Sequence, residues 1–219
     1  MKKILLVFLF FSFICWSDVG LGLKVGTTGP GFDLTFGLSE KLNLRTGVSY
    51  YNISRKLEKA DARIEDSELN LLNIPLLIDW HPFGGGFRLS LGAFYTDNYV
   101  SAKAKDQRVT INDKEYTVSS LSGKISLKNN FAPYFGIGIG NAINKSNRRL
   151  HFSLDIGVMY SGSPDISLTA TAYDPDPNVR RQLQERLNHD IEEQKKKFKD
   201  EADNYKFYPV ITFGISYAF

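Results

Sequence analysis

The chain ends in Phe207-Tyr-Pro-Val-Ile-Thr-Phe-Gly-Ile-Ser-Tyr-Ala-Phe219, in which apolar or aromatic residues fill every second position. The alternate positions, from Lys206 to Ala218, carry mostly small or polar residues. Because successive side chains of a β-strand point to opposite faces, this pattern predicts a strand with one apolar face. A transmembrane barrel turns that face to lipid and fills its interior with small and polar residues. The ending therefore predicts a strand of a membrane-spanning β-barrel.

Four residues of this strand form the pattern polar-x-Gly-x-x-aromatic-x-Phe: Thr212, Gly214, Tyr217 and Phe219. The pattern resembles the C-terminal signal by which bacterial outer-membrane proteins are passed to the barrel assembly machinery. The resemblance implies that this machinery is a partner of the chain. It also implies that the chain is located in the outer membrane.

The other end of the chain has the layout of an export signal. Met1-Lys2-Lys3 is basic, residues 4–14 are apolar, and Cys15-Trp16-Ser17 places small residues at a cleavage site. A transmembrane anchor is the alternative, but the apolar run is shorter than the roughly 20 residues that a spanning helix needs. We expect a signal peptide over 1–17 and a mature barrel over 18–219. The only cysteine lies in the removed segment, so we expect no disulfide in the mature chain.

The same alternation recurs along the chain and predicts an all-β fold, an antiparallel barrel of eight strands. The predicted strands cover residues 19–26, 32–38, 42–51, 71–81, 87–96, 131–140, 150–160 and 206–219. The mean hydropathy is negative, −0.23, which a barrel allows because only half of each strand is apolar. The near-balanced formal charge, +3, gives no sign of a nucleic-acid partner.

Connection lengths orient the barrel, because outer-membrane barrels have short periplasmic turns and longer external loops. Short turns are predicted near residues 39, 84 and 145. The external loops are predicted at 54–69, 97–123 and 162–205. Outward residues are expected to contact outer-membrane lipid and lipopolysaccharide.

The third loop contains a helix signal. Asp176 before Pro177 suits a helix start, and apolar residues recur every fourth position from Val179 to Ile191, so we predict a helix over 177–200. This helix could cover the barrel mouth, lie on the lipopolysaccharide surface or bind an external partner. Its mixed charges favour a solvated, mostly structural element.

Eight strands enclose a space that side chains nearly fill, so buried charges there must be paired. The residues predicted to point inward are Lys24, Asp33, Arg45, Asp79, His81, Arg88, His151 and Asp155. Counting from the turns predicts that Asp79 lies between Arg45 and Arg88. The cluster has two interpretations: a salt-bridge plug that keeps the barrel rigid, or pairs that open to pass a small zwitterion. Lys124, Lys128 and Lys206 are predicted to face inward near the outer mouth, where they would attract anions.

Catalysis and metal binding are disfavoured. Enzymes on small barrels use a histidine with a serine and an acid, but His81 and His151 are predicted to point into the lumen and His189 lies on the predicted helix. The histidines and the single cysteine do not have the spacing of a metal site. We expect no catalytic residues, no metal and no cofactor.

Three stretches of the chain carry a family resemblance. They are Gly123-Lys-Ile-Ser-Leu-Lys-Asn-Asn-Phe-Ala-Pro-Tyr-Phe-Gly-Ile-Gly138, Gly157-Val-Met-Tyr-Ser-Gly-Ser-Pro-Asp-Ile-Ser-Leu-Thr169 and Lys206-Phe-Tyr-Pro-Val-Ile-Thr-Phe-Gly214. Together they resemble the carbapenem-resistance-associated, ornithine-uptake type of small outer-membrane protein. The resemblance implies an eight-stranded barrel involved in uptake of ornithine and related basic amino acids and in entry of carbapenems. The charged segment 178–204 departs from the family.

Two function classes follow. The first is a narrow porin or uptake protein for small solutes such as amino acids. The second is a structural or surface-interaction barrel that acts through its external loops. The resemblance favours the first class, whereas the narrow charged lumen and the large third loop favour the second.

Overall fold

A computed structural model describes residues 18–59, 62–143, 149–202 and 205–219, without side-chain detail at 56–59, 62–65 and 107. The predicted signal peptide, residues 1–17, and the predicted turn at 144–147 lie outside the described residues.

The described residues form eleven strands and one helix. In chain order they are β1 (Val19–Gly26), β2 (Gly31–Ser39), β3 (Leu42–Lys59), β4 (Ala62–Trp80), β5 (Phe87–Thr96), β6 (Tyr99–Ile111), β7 (Lys114–Ser126), β8 (Phe131–Ile139), β9 (Leu150–Tyr160), β10 (Asp165–Ala172), α1 (Pro177–Ala202) and β11 (Phe207–Ala218).

Eight of these strands form a closed antiparallel barrel. Their order around the barrel is β1, β2, β3, β4, β5, β8, β9 and β11, and β11 pairs with β1 to close it. The terminal strand that decided the fold therefore lies at the closure, where Leu23 is opposite Ile215. Closure leaves no unpaired barrel edge, which a hydrocarbon environment requires. The predicted fold class is confirmed.

The outward side chains of the barrel strands make an apolar belt. Along β8, for example, exposed and buried residues alternate strictly from Phe131 to Ile139. Large aromatic side chains lie exposed at strand ends, among them Trp80, Tyr95 and Tyr160. Exposed apolar area on this scale marks a surface that water does not normally cover. Within the described ranges, α1 is too polar to cross a membrane, and no helix there could do so.

Three strands extend the barrel at the end opposite the β2–β3 and β4–β5 turns. β6 pairs with the Ile64–Asn70 part of β4, β7 pairs with β6, and β10 pairs with β7. We call these three strands and that part of β4 the outer wall. The segments 54–69, 97–123 and 162–205, which were expected to be external loops, thus contain extended strands and α1.

The outer wall has one apolar and one polar side. β4 runs through both regions, and β6 continues the register of β5 against it, so the lumen side of the barrel continues onto the outer wall. The lumen side carries Val100, Ala102, Ala104, Leu121, Ile125, Ile166, Leu168 and Ala170. The opposite side carries Tyr99, Ser101, Lys103, Ser122, Lys124, Ser126, Ser167 and Thr169. Helix α1 covers the part of the apolar side around Leu121, Leu168 and Ala170. Val100 and Ile125 on the same side stay 52% and 53% exposed.

Helix α1 starts where the sequence predicted. The Asp176 Oδ1 atom accepts a hydrogen bond from the Asn178 amide at 2.8 Å, which caps the first turn, and Pro177 occupies the position where its missing N–H costs nothing. Leu187 and Ile191 are buried against the outer wall in a cluster with Ile111, Tyr116, Val118 and Ala172. The predicted helix over 177–200 is confirmed.

Candidate functional site in the barrel lumen

A network of ionised side chains crosses the lumen. Arg45 on β3 donates to both carboxylate oxygens of Asp79 on β4, from Nε at 2.8 Å and Nη2 at 3.1 Å. Arg88 on β5 donates from Nη2 to both oxygens of Asp155 on β9, at 2.8 and 2.7 Å. Two-point contacts of this kind fix both partners in orientation as well as distance.

Asp155 is the residue that joins the two arginines. Its Oδ2 atom lies 3.2 Å from Nη1 of Arg45, in addition to its contacts with Arg88. Asp79 has Arg45 and the Ser90 hydroxyl as partners, the latter at 2.5 Å. The prediction that Asp79 lies between Arg45 and Arg88 is therefore wrong in its second partner. Asp155 takes that place because the closed barrel brings β9 across the lumen from β3.

A second pair extends the network toward the barrel closure. The Lys24 ammonium lies 2.6 Å from Oδ1 of Asp33, and the other oxygen of Asp33 lies 3.7 Å from Nη1 of Arg45. Three cationic and three anionic side chains thus balance one another, which is what burial of charges requires. The side chains in these pairs are at most 10% exposed.

An apolar layer lies above the charges, toward the outer wall. Its buried side chains are Leu77, Phe94, Ala132, Tyr134, Met159 and Val210. Phe94 and Tyr134 pack edge to face with ring centroids 5.1 Å apart. Gly136 and Gly157 make room for Tyr134, because a Cβ atom at either position would collide with its ring or hydroxyl.

Polar side chains close both ends of the lumen. Near the β2–β3 and β4–β5 turns, the His81 Nε2 atom lies 3.1 Å from Nδ2 of Asn43, while its Nδ1 atom faces the carbonyls of Gly85 and Phe87. Two carbonyls can only accept, so Nδ1 carries the proton and Nε2 accepts from Asn43. Toward the outer wall, Asn73 and Asn98 donate to each other's amide oxygens at 3.1 and 3.0 Å.

The free space inside the charged layer is small. The cavity bounded by Lys24, Arg45, Asp79, Arg88 and Asp155 has a volume of about 30 Å³. That volume corresponds to about one water molecule, whereas pockets for small organic ligands occupy roughly 300 Å³ or more. In the described residues, the lumen is therefore filled at this level by its own side chains.

The remaining residues of the predicted lumen set lie away from this network. His151 is half-buried on β9, and its Nε2 atom has no partner among the described residues. Lys124 lies on β7 in the outer wall, not on a barrel strand, and its ammonium sits 4.1 Å from the centre of the Tyr99 ring. It faces the outer side because β7 does not keep the register of β8. Lys128 is exposed between β7 and β8, and Lys206 is half-buried beside β11.

The four residues of the predicted assembly signal divide between the two faces of β11. Thr212 lies in the lumen, where its hydroxyl is 3.4 Å from Oδ2 of Asp155, and Gly214 packs beside Ser153. Tyr217 and Phe219 lie outside with ring centroids 5.2 Å apart. Phe219 is 77% exposed, so its ring is available to lipid or to another protein.

One group on α1 has the composition of a metal site. His189, Asp190 and Glu193 place possible ligand atoms within 4.8 Å of one another. Asp190, however, already accepts hydrogen bonds from the Lys114 ammonium at 2.9 Å and from the Tyr116 hydroxyl. We therefore assign Asp190 to the attachment of α1 and not to metal binding.

Sequence reasoning missed two members of the lumen site. Ser90 donates to Asp79, and Tyr134 fills the layer above it. Both stand at inward positions by strand alternation, but neither is charged, so a search for buried charges passed over them. The Gly136-x-Gly138 spacing on β8 is a signal that could have indicated a large side chain nearby.

The fold and lumen define a small antiparallel barrel with an apolar exterior and an interior filled by balanced charges and apolar side chains. Two solved structures with this fold are CarO2 and CarO of Acinetobacter baumannii. CarO2 aligns with a TM-score of 0.60 and 23% identity, over 92% of this chain and 98% of that chain. CarO aligns with a TM-score of 0.59 and 24% identity over the same shares. The chain has the CarO-type fold, as the resemblance in sequence implied.

No protein-family model matches the chain, and no curated protein matches its sequence.

Proposed function

We propose that the chain is a bacterial outer-membrane β-barrel that holds a folded element, the outer wall with α1, at the cell surface. The single observation that carries this proposal is the filled lumen. The charged layer leaves about 30 Å³, and an apolar layer of six buried residues lies directly above it. A solute would have to displace both layers, so the barrel serves better as a membrane anchor than as a channel.

Placement in the outer membrane rests on separate support. The barrel is closed, its exterior is apolar, and aromatic residues lie at its strand ends. These are the features of outer-membrane barrels, which bilayer thickness and the lack of water in hydrocarbon impose. We expect the purified protein, refolded in detergent, to give a β-rich circular dichroism spectrum and to migrate differently on gels before and after heating. A helix-dominated spectrum would contradict the barrel.

Solute flux is the decisive test of the closed lumen. Liposomes that contain the protein should swell no faster in ornithine, glutamate or serine than empty liposomes, and planar bilayers should show no stable conductance steps. A wide porin reconstituted at the same density supplies the positive control. Stable flux of one charge class of amino acid would reject the closed lumen in favour of uptake.

Uptake of small solutes is the second candidate function. The favouring observation is that the charged layer consists of ion pairs between different strands. A zwitterion carries one carboxylate and one ammonium, so it could replace a pair while each protein charge keeps a partner. This candidate requires the apolar layer to move as well.

The C-terminal residue offers a test of assembly. We expect deletion of Phe219, or Phe219→Asp, to reduce the amount of folded protein in the outer membrane severalfold, because the ring that follows β11 is 77% exposed and available to contact the assembly machinery. The measurement is heat-modifiable protein in isolated outer membranes. Leu38→Asp, at another exposed apolar position on a barrel strand, is a control for loss of apolar surface alone. Equal reductions in both variants would remove the special role of the terminus.

A further inference from the structure

We propose that the outer wall binds the phosphates of lipopolysaccharide through Lys103 and Lys124, on the side that faces away from the lumen. The inference rests on the proposed location in the outer membrane, where lipopolysaccharide forms the external leaflet. It goes further by assigning a site and a chemical group to the contact.

The first line of support is position. Tyr95 and Phe131 form the last outward aromatic pair of β5 and β8, with ring centroids 5.4 Å apart. Tyr99 is the next outward residue of the wall on β6, because β6 continues the register of β5 against β4. The Lys124 ammonium lies 4.1 Å from the centre of the Tyr99 ring. The ammonium therefore lies beyond the apolar belt, at the level of Tyr99, on the side where the proposed location puts the phosphates of lipopolysaccharide.

The second line of support is that hydrogen bonds hold the Tyr99 side chain in place. The Tyr99 hydroxyl donates to Oε1 of Glu68 at 2.9 Å, and Asn52 Nδ2 donates to the same oxygen at 2.9 Å. These hydrogen bonds, from Asn52 first and then Tyr99, lower the pKa of Glu68, and the nearby lysines at 124 and 103 lower it further. Glu68 thus fixes the ring over which the Lys124 ammonium rests.

The third line of support is charge and hydrogen bonding. Lys124 is opposite Ser101, and Lys103 is opposite Ser122, so the two lysines are diagonal neighbours on one side of the wall. Diagonal neighbours lie roughly 7–8 Å apart at the backbone, a separation that two lysine side chains can close around one phosphate. The serine hydroxyls between them are further donors. Glu68 offsets one of the two positive charges, and Asp165 lies at the edge of the wall opposite Ser126.

Lipopolysaccharide fits this surface better than other anions. Its lipid A portion combines acyl chains, which the belt below would contact, with phosphates fixed directly above them. A free phosphate would gain the charge but not the belt. Attraction of a polybasic surface to an anionic membrane is worth about a factor of five per lysine, and two lysines together contribute roughly 30-fold.

The test compares two pairs of lysines in the folded full chain. Lys103→Gln with Lys124→Gln removes the proposed contact, and Lys196→Gln with Lys199→Gln removes the same charge from an exposed part of α1. Affinity is measured by titrating fluorescent bisphosphorylated lipid A into each protein in neutral detergent micelles. Parallel titrations use dephosphorylated lipid A, phosphatidylglycerol and inorganic phosphate. Heat-modifiable migration of each sample verifies that the barrel is folded and separates a failure of this inference from a failure of the proposed barrel.

The expected result is a tenfold or greater loss of lipid A affinity in the first variant only, with Lys103→Arg and Lys124→Arg retaining the affinity. Dephosphorylated lipid A should bind the wild type as weakly as lipid A binds the first variant. Wild-type affinity in the first variant, or equal loss in both lysine pairs, would overturn the proposal. So would an equal loss for phosphatidylglycerol or inorganic phosphate, because the surface would then attract any anion.

Discussion

Replacing Asp155 with alanine is expected to lower the free energy of unfolding by about 3 to 5 kcal/mol, the usual effect of breaking a buried ion pair by removing one partner. The reason is that Arg88 loses its carboxylate partner. Its only described partners are Asp155 and the Gly140 carbonyl, so the variant leaves a buried guanidinium without a carboxylate. Arg45 keeps Asp79 and is affected less.

Asp79→Ala should cost less than Asp155→Ala, which makes the pair a matched comparison. Without Asp79, Arg45 still has Asp155 at 3.2 Å and Asp33 at 3.7 Å, and Arg88 is unchanged. The measurement is the urea midpoint of each variant refolded in the same micelles, with the slope of the transition compared to verify two-state behaviour. A larger effect from Asp79→Ala would show that the arginine partners are assigned wrongly.

A double variant separates loss of the pair from loss of side-chain volume. Asp155→Asn with Arg88→Gln removes one charge of each sign, and the remaining Lys24, Asp33, Arg45 and Asp79 stay balanced. Replacing both partners of a buried pair is commonly close to neutral, so the double variant should recover most of the stability lost by Asp155→Asn alone. It should also stay non-conducting, because the apolar layer above is intact. Stable conductance in the double variant would show that the ion pairs alone keep solutes from passing through the lumen.

The barrel could be predicted from the sequence because its signal is local. A strand of about ten residues that alternates apolar with small or polar residues fixes which side chains point inward, as it did for Asp33, Arg45, Asp79 and Asp155. Ion pairs between adjacent barrel strands, such as Arg45 on β3 with Asp79 on β4, followed from counting residues to the turns.

Contacts across the lumen could not be predicted in this way. The bond between Asp155 and Arg45 joins β9 to β3, which are not neighbours around the barrel. Whether these side chains meet depends on the tilt and stagger of all eight strands, and no single strand carries that information. Counting from the turns gave Asp79 the partner that belongs to Asp155.

The outer wall was missed because its alternation is weak. The lumen side of β6 carries Ala102 and Ala104, and that of β7 carries Gly123, so the contrast between apolar and polar positions is small. A usable signal was the pair Asn112-Asp113, whose positive φ values of 49° and 62° belong to the tight turn that joins β6 to β7. Consecutive Asn and Asp residues favour such hairpin turns. The helix signal in the same region was stronger and was detected.

Helix α1 should open from the outer wall more often when Asp190 is replaced by alanine. The Asp190 carboxylate accepts from the Lys114 ammonium at 2.9 and 3.0 Å and from the Tyr116 hydroxyl. Alanine leaves the buried Tyr116 hydroxyl without an acceptor, which costs enough to raise the open population of the helix on the order of tenfold. We expect hydrogen exchange at the amides of residues 183–195 to speed up by that factor. Glu185→Ala, which removes an exposed carboxylate from the same helix, should leave exchange unchanged.

The same contacts predict how pH affects the attachment of α1. The hydrogen bond from Tyr116, then that from Lys114, lowers the pKa of Asp190, so its contribution is present above the ordinary Asp value of about 3.9 and is lost as pH falls below it. Burial, then the bond to Asp190, raises the pKa of Tyr116 to about 12. That contribution is present below the ordinary Tyr value of about 10 and is lost as pH rises toward 12. Exchange at 183–195, corrected for the intrinsic effect of pH, should therefore be slowest between these limits, and Asp190→Ala should abolish the acid limb. Wild-type exchange that stays flat from pH 3 to pH 7 would show that another contact holds the helix.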